Sequence, residues 1–213
     1  MDQPVVPLER PRAERADAAR NRRHLLAVAR EMLAEAGADK LTMDGLAERA
    51  GLGKGTVFRR FGSRAGIFRA LLDEAESEFQ EQVLSGPPPL GPGAAPLDRL
   101  IAYGQARAFF LIGNRDIARG TLDGGQPRSA GARTPLSQPH IRMLLGQLDL
   151  GAVDVGMLSL QLTAALDTPL ILYLHDADED SEGGDGLADR IARGWEDLVR
   201  RVCRPCPGRG AVG

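Results

Sequence analysis

The sequence predicts an all-α protein. Over much of the 213-residue chain, apolar residues recur at intervals of three and four, which is the period of a helix with one buried face. Aromatic residues make up only 4% of the chain, whereas alanine, glycine, leucine and arginine are abundant. This composition favours helices packed through small and aliphatic side chains over a sheet. With 43% hydrophobic residues, the chain can bury one or two modest cores.

The N-terminal region combines an irregular segment with a helix. Residues 1–16 are rich in proline and arginine without any period, so we expect a flexible arm there. Residues 17–36 carry apolar side chains at helical spacing and end at Gly37, which predicts an amphipathic helix. His24 near its start is expected to face solvent or a phosphate, because no partner residues lie at metal-ligand spacing.

Residues 41–72 predict two short helices joined by a tight turn. Thr42 suits the N-cap of the first helix, which runs to about Ala50, because its hydroxyl can accept a hydrogen bond from a first-turn amide. Gly51 can adopt the left-handed conformation that closes a helix. The second helix is expected over residues 54–60. An alanine four residues before the turn glycine is typical of a helix-turn-helix.

The outward face of the second helix is cationic, with hydroxyl and aromatic groups interleaved. Its members are Lys54, Gly55, Thr56, Phe58, Arg59 and Arg60. Such a face suits a helix that lies in the major groove of DNA between two rows of phosphates. A solvated basic helix in any bundle has the same composition, so this pattern alone leaves both interpretations open.

Several short motifs of this region resemble those of TetR-type (TetR/AcrR) one-component transcriptional regulators. The matching residues are Leu41-Thr42, Leu46-Ala47, Ala50-Gly51-Leu52, Gly55-Thr56-Val57-Phe58 and Phe61-Gly62-Ser63-Arg64. The resemblance covers residues 20–72 and continues beyond them only as an all-helical pattern. It implies an N-terminal three-helix helix-turn-helix DNA-binding head on a larger helical ligand-binding and dimerisation body.

The chain departs from the family pattern at four positions. Phe58 stands where the family usually has tyrosine, and Gly53 stands where serine is usual. Arg60 replaces a frequent histidine, and Arg64 replaces a frequent lysine. These changes remove neutral hydrogen-bonding groups and keep or add charge, so we expect DNA binding to depend strongly on salt.

The resemblance divides the expected DNA contacts into those that position the protein and those that read bases. The positioning residues are Thr42, Arg60 and Arg64, and the residues expected at base edges are Lys54, Thr56 and Arg59. Gly55 would admit close backbone approach, and Phe58 would contact a thymine methyl group or a sugar. The arm of residues 1–16 either has no role or places Arg10, Arg12 and Arg15 in a minor groove.

Charge is distributed in a way that fits this division. Residues 1–64 hold 13 Lys and Arg against 9 Asp and Glu, whereas residues 65–213 hold 14 against 20. A basic N-terminal part directs one end of the molecule toward phosphate, and an acidic remainder keeps the other end away from it.

Clusters of glycine and proline divide the rest of the chain. A fourth helix is expected from a Ser63 cap to about Leu84. Further helices are expected at 97–112, 139–150, 153–174 and 187–202, and loops at 85–96, 119–138 and 176–186. Pro169 implies a kink or a restart within its helix. A loop as long as 119–138 is usually functional or disordered.

The last two predicted helices indicate self-association. Residues 153–174 are the most apolar segment of the chain, and residues 187–202 carry one apolar stripe. Paired across a two-fold axis, these segments could form a four-helix bundle, so we expect a homodimer through them. The predicted organisation is a flexible arm (1–16), a DNA-binding domain (17–64), an effector-binding and dimerisation domain (65–203) and a flexible tail (204–213).

The resemblance also implies a pocket for a small-molecule effector of unknown identity among the helices of the C-terminal domain. The aromatic or polar-tipped residues available to line it are Tyr103, Arg107, Phe110, His140, Met143 and Tyr173. Each of them could equally be ordinary core or surface. A mostly apolar lining with few polar groups would suit a hydrophobic or aromatic molecule.

Other chemistry is sparse in the sequence. We find no nucleophile elbow or phosphate-binding loop, and expect neither an enzyme nor a bound cofactor or metal. Cys203 and Cys206 have redox or metal spacing but lack a second ligand pair, so an exposed, incidental pair is expected, with oxidation sensing or cross-linking as the alternative. No membrane span or signal-peptide core is found, so we expect a cytoplasmic protein.

Taken together, these features predict a sequence-specific DNA-binding repressor that a small molecule releases from a palindromic operator. The alternative is a helical dimer that acts as an effector-independent architectural or interaction protein.

Overall fold

The structure is a computed structural model that describes residues 12–121, 136–175 and 184–204, with side chains described for 17–121, 136–167 and 186–204. Every regular element in these ranges is helical, so the predicted all-α fold is confirmed. The helices are α1 (Arg12–Ala36), α2 (Met43–Arg49), α3 (Lys54–Phe61), α4 (Arg64–Ser85), α5 (Pro96–Gly113), α6 (Arg115–Gly120), α7 (Ser137–Leu145), α8 (Val155–His175) and α9 (Gly184–Val202), and a 3₁₀ turn (Ala38–Lys40) follows α1. None of the described helices contains an apolar run long enough to cross a membrane.

Backbone contacts divide the chain into two units. The head comprises residues 12–71 with 120 and 121, and the body comprises residues 72–119, 136–175 and 184–204. This division falls inside α4, whereas the predicted functional boundary at residue 64 lies at the start of that helix. The functional boundary stays a prediction.

The helix-turn-helix of the head forms as its local chemistry predicts. The Thr42 hydroxyl accepts a hydrogen bond from the Gly45 amide at 3.0 Å and caps α2. Gly51 follows the C-cap of α2 with a φ of +65°, a left-handed conformation that favours glycine and closes the helix. Gly53 precedes α3 without any side-chain cap. Ser63 caps α4 by accepting from the Gly66 amide at 3.2 Å, which confirms the predicted start of the fourth helix.

Two predicted boundaries near the N-terminus and in the body are wrong. Helix α1 begins at Arg12, so residues 12–16 are helical and do not belong to an arm. Alanine, glutamate and arginine in this stretch are strong helix formers, which accounts for the earlier start. Residues 1–11 lie outside the described residues. Helix α7 ends at Leu145, because the amides of Gln147 and Leu148 bond three residues back in tight turns after Gly146.

The loop expected at 119–138 has helical ends. Arg119 and Gly120 close α6, which the sequence analysis did not predict, and Ser137 begins α7. Residues 122–135 lie outside the described residues, as do residues 176–183 of the next expected loop. Helix α9 starts at Gly184, earlier than expected.

Helix α8 continues past Pro169 as one helix, so the restart offered as one reading of Pro169 does not occur. A proline removes a single backbone donor, and the rest of the hydrogen-bond ladder can continue around it.

The body packs most closely where α5 meets α9. Gly104 lies against the indole of Trp195, and a Cβ added at Gly104 would lie 2.0 Å from that ring. The indole nitrogen of Trp195 donates to the carbonyl oxygen of Leu100 at 3.0 Å, so the ring is fixed in both position and orientation. The absence of a side chain at Gly104 therefore allows the two helices to approach.

The first of the two cysteines directly follows α9 and continues its buried face. Cys203 is 8% exposed and belongs to the hydrophobic core of the body, so the expectation that it is exposed is wrong. Burial raises the pKa of its thiol. The α9 face that it continues contains Trp195 and Val199. Cys206 lies outside the described residues.

Candidate nucleic-acid interface and the polar cluster of the body

Helix α3 is held by two buried side chains and presents the rest of its surface outward. Val57 is fully buried and Phe61 is 9% exposed, so they fix the helix on the core of the head. Lys54, Gly55 and Arg59 are exposed, and the Phe58 ring is 50% exposed. The exposed half of the Phe58 ring is available for contact with a binding partner.

The outward cations of α3 have only weak intramolecular partners. The Lys54 ammonium lies 2.9 Å from an Asp44 carboxylate oxygen, and both side chains are more than 60% exposed. The Arg59 guanidinium donates to the Thr56 hydroxyl at 3.4 Å. Exposed pairs of this kind contribute little to stability. Both cations can therefore exchange these partners for phosphates or base edges at small cost.

The three residues expected on phosphates all have structural partners within the head. Thr42 caps α2, and the Arg60 guanidinium donates to the Ala18 carbonyl at 3.0 Å. Arg64 donates to the carbonyls of Leu41 at 2.7 Å and Ala38 at 2.6 Å. Its guanidinium also lies over the Phe68 ring, 4.9 Å from the centroid. The cap of Thr42 was predicted from the sequence, whereas the roles of the two arginines were not, because their acceptors are distant backbone carbonyls.

Helix α2 is fixed to α1 by two further contacts. The His24 ring nitrogen Nε2 lies 3.2 Å from the carbonyl oxygen of Ala50, the residue that caps the C-terminus of α2, so it donates to this acceptor. This contact gives His24 a backbone partner that the sequence analysis did not foresee. The Arg49 guanidinium forms two hydrogen bonds to Glu35 at 2.5 and 2.6 Å, and these hold the pKa of that carboxyl below its usual value.

An open cleft of about 410 Å³ lies between α1 and α3. Its lining residues are Asp17, Ala18, Asn21, Thr56, Arg59 and Arg60. The two arginines make one side of this cleft cationic, continuous with the outward face of α3.

Four of the six residues predicted to bind an effector come together in the body. Tyr103, Arg107 and His140 are buried, and Phe110 is half-buried beside them. Met143 does not join them, because it is 44% exposed and lines an open groove along α7. Tyr173 is a residue of α8 whose side chain lies outside the described part of the chain.

The centre of this cluster is a buried ion pair between α5 and α4. The Arg107 guanidinium donates from Nη1 to Oε2 of Glu76 at 2.6 Å, and the two side chains are 7% and 18% exposed. The rings of Phe79 and Phe110 lie 5.6 and 4.9 Å from the guanidinium carbon. The sequence analysis missed Glu76, although it precedes Phe79 by three residues and so shares its helix face.

Tyr103 extends the cluster toward α7. Its hydroxyl donates to the Ser137 hydroxyl at 2.7 Å, and its ring lies 4.9 Å from the His140 ring and 5.8 Å from Phe79. Burial raises the pKa of Tyr103 to about 12. Burial, assisted by the charge of Arg99, lowers the pKa of His140 to about 4. Both side chains are therefore neutral near neutral pH.

Two nitrogen atoms of the cluster are buried without a hydrogen-bond partner among the described residues. They are Nε of Arg107 and Nε2 of His140. Buried polar atoms are nearly always paired in folded proteins, so a pair of unpaired nitrogens in one cluster requires an explanation.

Comparison with known proteins relates the head of this chain to a family of regulatory proteins. Residues 25–71 match the family model for bacterial regulatory proteins of the tetR family, a range that contains α2, α3 and the Arg64 contacts. The family likeness therefore lies in the head and covers residues 25–71 of the 213. The chain is 37% identical over 59 residues to the DNA-binding transcriptional repressor TetR of Mycobacteroides abscessus, a match that covers 28% of this chain and 31% of that repressor.

Solved structures of TetR-family proteins share the fold over most of the chain. A TetR-family transcriptional regulator from Pectobacterium atrosepticum has a TM-score of 0.69 at 21% identity, covering 92% of this chain and all of the other. The TetR-family repressor FadR of Thermus thermophilus, solved in complex with lauroyl-CoA, has a TM-score of 0.56 at 15% identity, covering 89% of this chain and all of the other. At these identities the likeness concerns the fold alone.

Proposed function

We propose that this protein is a homodimeric transcriptional repressor that binds a palindromic DNA operator through α3 and is released from it by a small molecule. The observation that carries the proposal is the exposed cationic face of α3. Val57 and Phe61 anchor that helix, so Lys54, Arg59 and Phe58 project from it with at most weak partners. The match of residues 25–71 to the tetR family model and the likeness to a curated repressor over 59 residues support the same function.

In this proposal the DNA contacts fall on two sets of residues. Lys54, Thr56 and Arg59 read base edges, and Phe58 contacts a thymine methyl group or a sugar. Gly55 lets the backbone approach, since no atom beyond its chain neighbours and the local helix backbone lies within 4 Å of the position that a Cβ would occupy there.

The residues expected on phosphates act differently from one another. Arg60 lies at the exposed end of α3 and can add a phosphate contact to its bond with Ala18. Thr42 keeps a free hydroxyl hydrogen that it can donate to a phosphate. Arg64 acts mainly by holding the start of α4 against the turn before α2, because its guanidinium is engaged by two carbonyls.

The dimer forms through residues 153–174 and 187–202. On α8, Met157 and Leu160 are 52% and 54% exposed, and the exposed residues Ala164 and Ala165 continue the same face. Leu198 of α9 is 38% exposed. An apolar face of this kind is buried when two copies pair. We expect Leu160→Glu to give a monomer in light scattering, and Leu84→Glu, at a similarly exposed leucine of α4, to leave the dimer intact.

The effector is proposed to bind in the body, beside Tyr103, Arg107, Phe110 and His140. These side chains form one contiguous cluster that contains buried polar atoms without partners. The fold relative from Thermus thermophilus carries lauroyl-CoA, which supports a small-molecule ligand for this chain by analogy.

A gel-shift assay tests the proposed function. The probe is the DNA upstream of the protein's own gene, and a random duplex library provides an unbiased second probe. We expect one palindromic site with half-sites about ten base pairs apart, the spacing that places two recognition helices on one side of the duplex. Binding of all sequences with equal affinity would favour the architectural alternative, and no binding of duplex DNA would overturn the proposal.

A further inference from the structure

We infer that the effector is an apolar molecule with a carboxylate, and that this carboxylate binds Arg107 by displacing Glu76. The inference rests on the proposed function in one respect, because it assumes that the cluster around Arg107 is the effector site. It goes further by naming the chemical class of the ligand and the contact that the ligand breaks.

The guanidinium of Arg107 has an unused donor in a buried position. The residue is 5% exposed, Nη1 donates to Glu76, and Nε has no partner among the described residues. Carboxylates bind arginine most strongly through two parallel hydrogen bonds, with one oxygen on each of two neighbouring nitrogens. A carboxylate from a ligand can use the Nε edge, which Glu76 leaves unpaired.

Two carboxylates cannot share this arginine at low cost. With Glu76 in place, the charge of Arg107 is already compensated, so a second carboxylate would be desolvated without a free positive charge on this arginine. Glu76 is the more exposed member of the pair at 18%, so it has the shorter route to solvent. Binding of an acid is therefore an exchange of carboxylates on Arg107 rather than an addition.

The aromatic side chains around Arg107 favour a ligand whose remaining part is apolar. The Phe79 and Phe110 rings flank the guanidinium and lie 5.0 Å from each other, and Tyr103 continues this wall toward α7. The other buried nitrogen without a partner among the described residues is Nε2 of His140, next to the Tyr103 ring. It can form a hydrogen bond with a second polar group of the ligand. Fatty acids and aryl-alkyl acids have this combination of one anionic end and an apolar remainder.

A neutral ligand would act differently at this site. An amide could accept a hydrogen bond from Nε, but it could not replace the charge of Glu76, so the ion pair would persist. Exchange by an acid instead removes the link between α4 and α5 that the ion pair provides. The acid and its amide therefore provide a matched test of the inference.

The test is a titration of the full-length protein without DNA. The probes are decanoate, decanamide, 4-phenylbutyrate and 4-phenylbutyramide. Binding is followed by calorimetry and by the fluorescence of Trp195, the one tryptophan of the chain, which lies in the same hydrophobic core as Tyr103. We expect at least one acid to bind about tenfold or more tightly than its amide, since a charged partner strengthens the hydrogen bonds to Arg107.

Variants separate exchange from simple charge attraction. Glu76→Gln keeps the size of the side chain but removes the competing charge, so affinity for the acid should rise about tenfold while affinity for the amide stays constant. Glu81→Gln, at an exposed position of the same helix, is the matched control and should change neither affinity. A purely structural role for Glu76 would weaken binding instead. The comparison of acid with amide in the unaltered protein does not depend on any variant folding.

Three results would overturn the inference: no acid binding with a Kd below about 1 mM, equal affinity for acid and amide, or no gain for acid in Glu76→Gln. These results are independent of DNA binding, because no DNA is present in the titration. Failure of the gel-shift assay would reject the proposed function and leave an acid-specific site standing. A positive gel shift without acid preference would reject the ligand class alone.

Discussion

The head and the body each contain an arginine–glutamate pair of nearly the same length. Arg49 and Glu35 approach to 2.5 Å in the head, and Arg107 and Glu76 approach to 2.6 Å in the body. The head pair is 40% and 56% exposed, whereas the body pair is 7% and 18% exposed. Water screens the first pair and is largely excluded from the second, so similar contact distances have unequal energetic consequences.

The cations of the two regions that are expected to bind ligands differ in solvent exposure in the same way. Lys54 and Arg59 stay in solvent, where they can exchange partners rapidly and attract a large anionic partner. Arg107 is buried between aromatic rings, where only a ligand that enters the body can reach it. Under the proposed function, the exposed cations of the head meet the polyanionic DNA, and the buried Arg107 of the body discriminates the small molecule by charge.

The largest expected effect is that of removing the buried arginine. Arg107→Ala leaves the Glu76 carboxylate buried without its partner, so we expect a loss of about 3–5 kcal/mol in the free energy of unfolding. Urea denaturation followed by Trp195 fluorescence measures this loss. A loss below about 1 kcal/mol would mean that the pair is no more important than a solvated one.

Alanine substitutions at one helical glycine in each region are expected to have different effects on stability. Gly104→Ala in the body places a Cβ against the Trp195 indole, so we expect a destabilisation of about 3 kcal/mol from overpacking. Gly55→Ala in the head meets no atom within 4 Å beyond its chain neighbours and the local helix backbone and should not destabilise the protein, but it should weaken DNA binding by obstructing backbone approach. Thermal melting and fluorescence anisotropy measure the two quantities. Equal stability losses at both positions would contradict the packing described for α5 and α9.

His140 makes the stability of the body depend on pH. The folded state holds its pKa near 4, whereas the unfolded chain has the ordinary value of 6.5, so the stabilising contribution is complete above pH 6.5 and is lost as pH falls toward 4. Between about pH 7.5 and about pH 5 this loss amounts to about 2 kcal/mol. His140→Gln should lose less stability than the unaltered protein over this interval in urea denaturation. Parallel pH profiles for the two proteins would contradict a buried neutral imidazole.

The smallest effect is expected at the exposed pair of the head. Arg49→Ala should lower the free energy of unfolding much less than Arg107→Ala does, because water replaces the lost contact. The loss should shrink further in high salt, whereas the effect of Arg107→Ala should not. Chemical denaturation at low and high sodium chloride makes this comparison. A loss as large as that of Arg107→Ala would remove the distinction between the two regions.

The sequence predicts those parts of the molecule whose causes lie within one helical turn. The cap at Thr42, the left-handed Gly51 and the Ser63 cap each depend on neighbours three or four residues away, so α2 and the start of α4 follow directly. The outward face of α3 follows for the same reason, because Val57 and Phe61 set its buried side.

The parts that could not be predicted depend on packing between distant segments. Arg64 meets carbonyls 23 and 26 residues away, and Arg107 meets Glu76 across 31 residues. No spacing rule links such positions, so the sequence analysis assigned Arg64 to phosphate and overlooked Glu76. The buried setting of Cys203 was missed because the cysteine was considered together with Cys206, and not with the buried face formed by Trp195 and Val199.

The measurement that tests the account most directly is the affinity of Lys54→Glu/Arg59→Glu for the operator. Fluorescence anisotropy would compare this double variant with Arg142→Glu, a charge reversal at an exposed position of α7, and circular dichroism would verify that each variant is folded. We expect the double variant to lose at least about 100-fold in affinity, because it replaces two cations at the DNA surface with anions. Arg142→Glu should bind like the unaltered protein. Unchanged affinity of the folded double variant would contradict the assignment of α3 as the DNA-binding element.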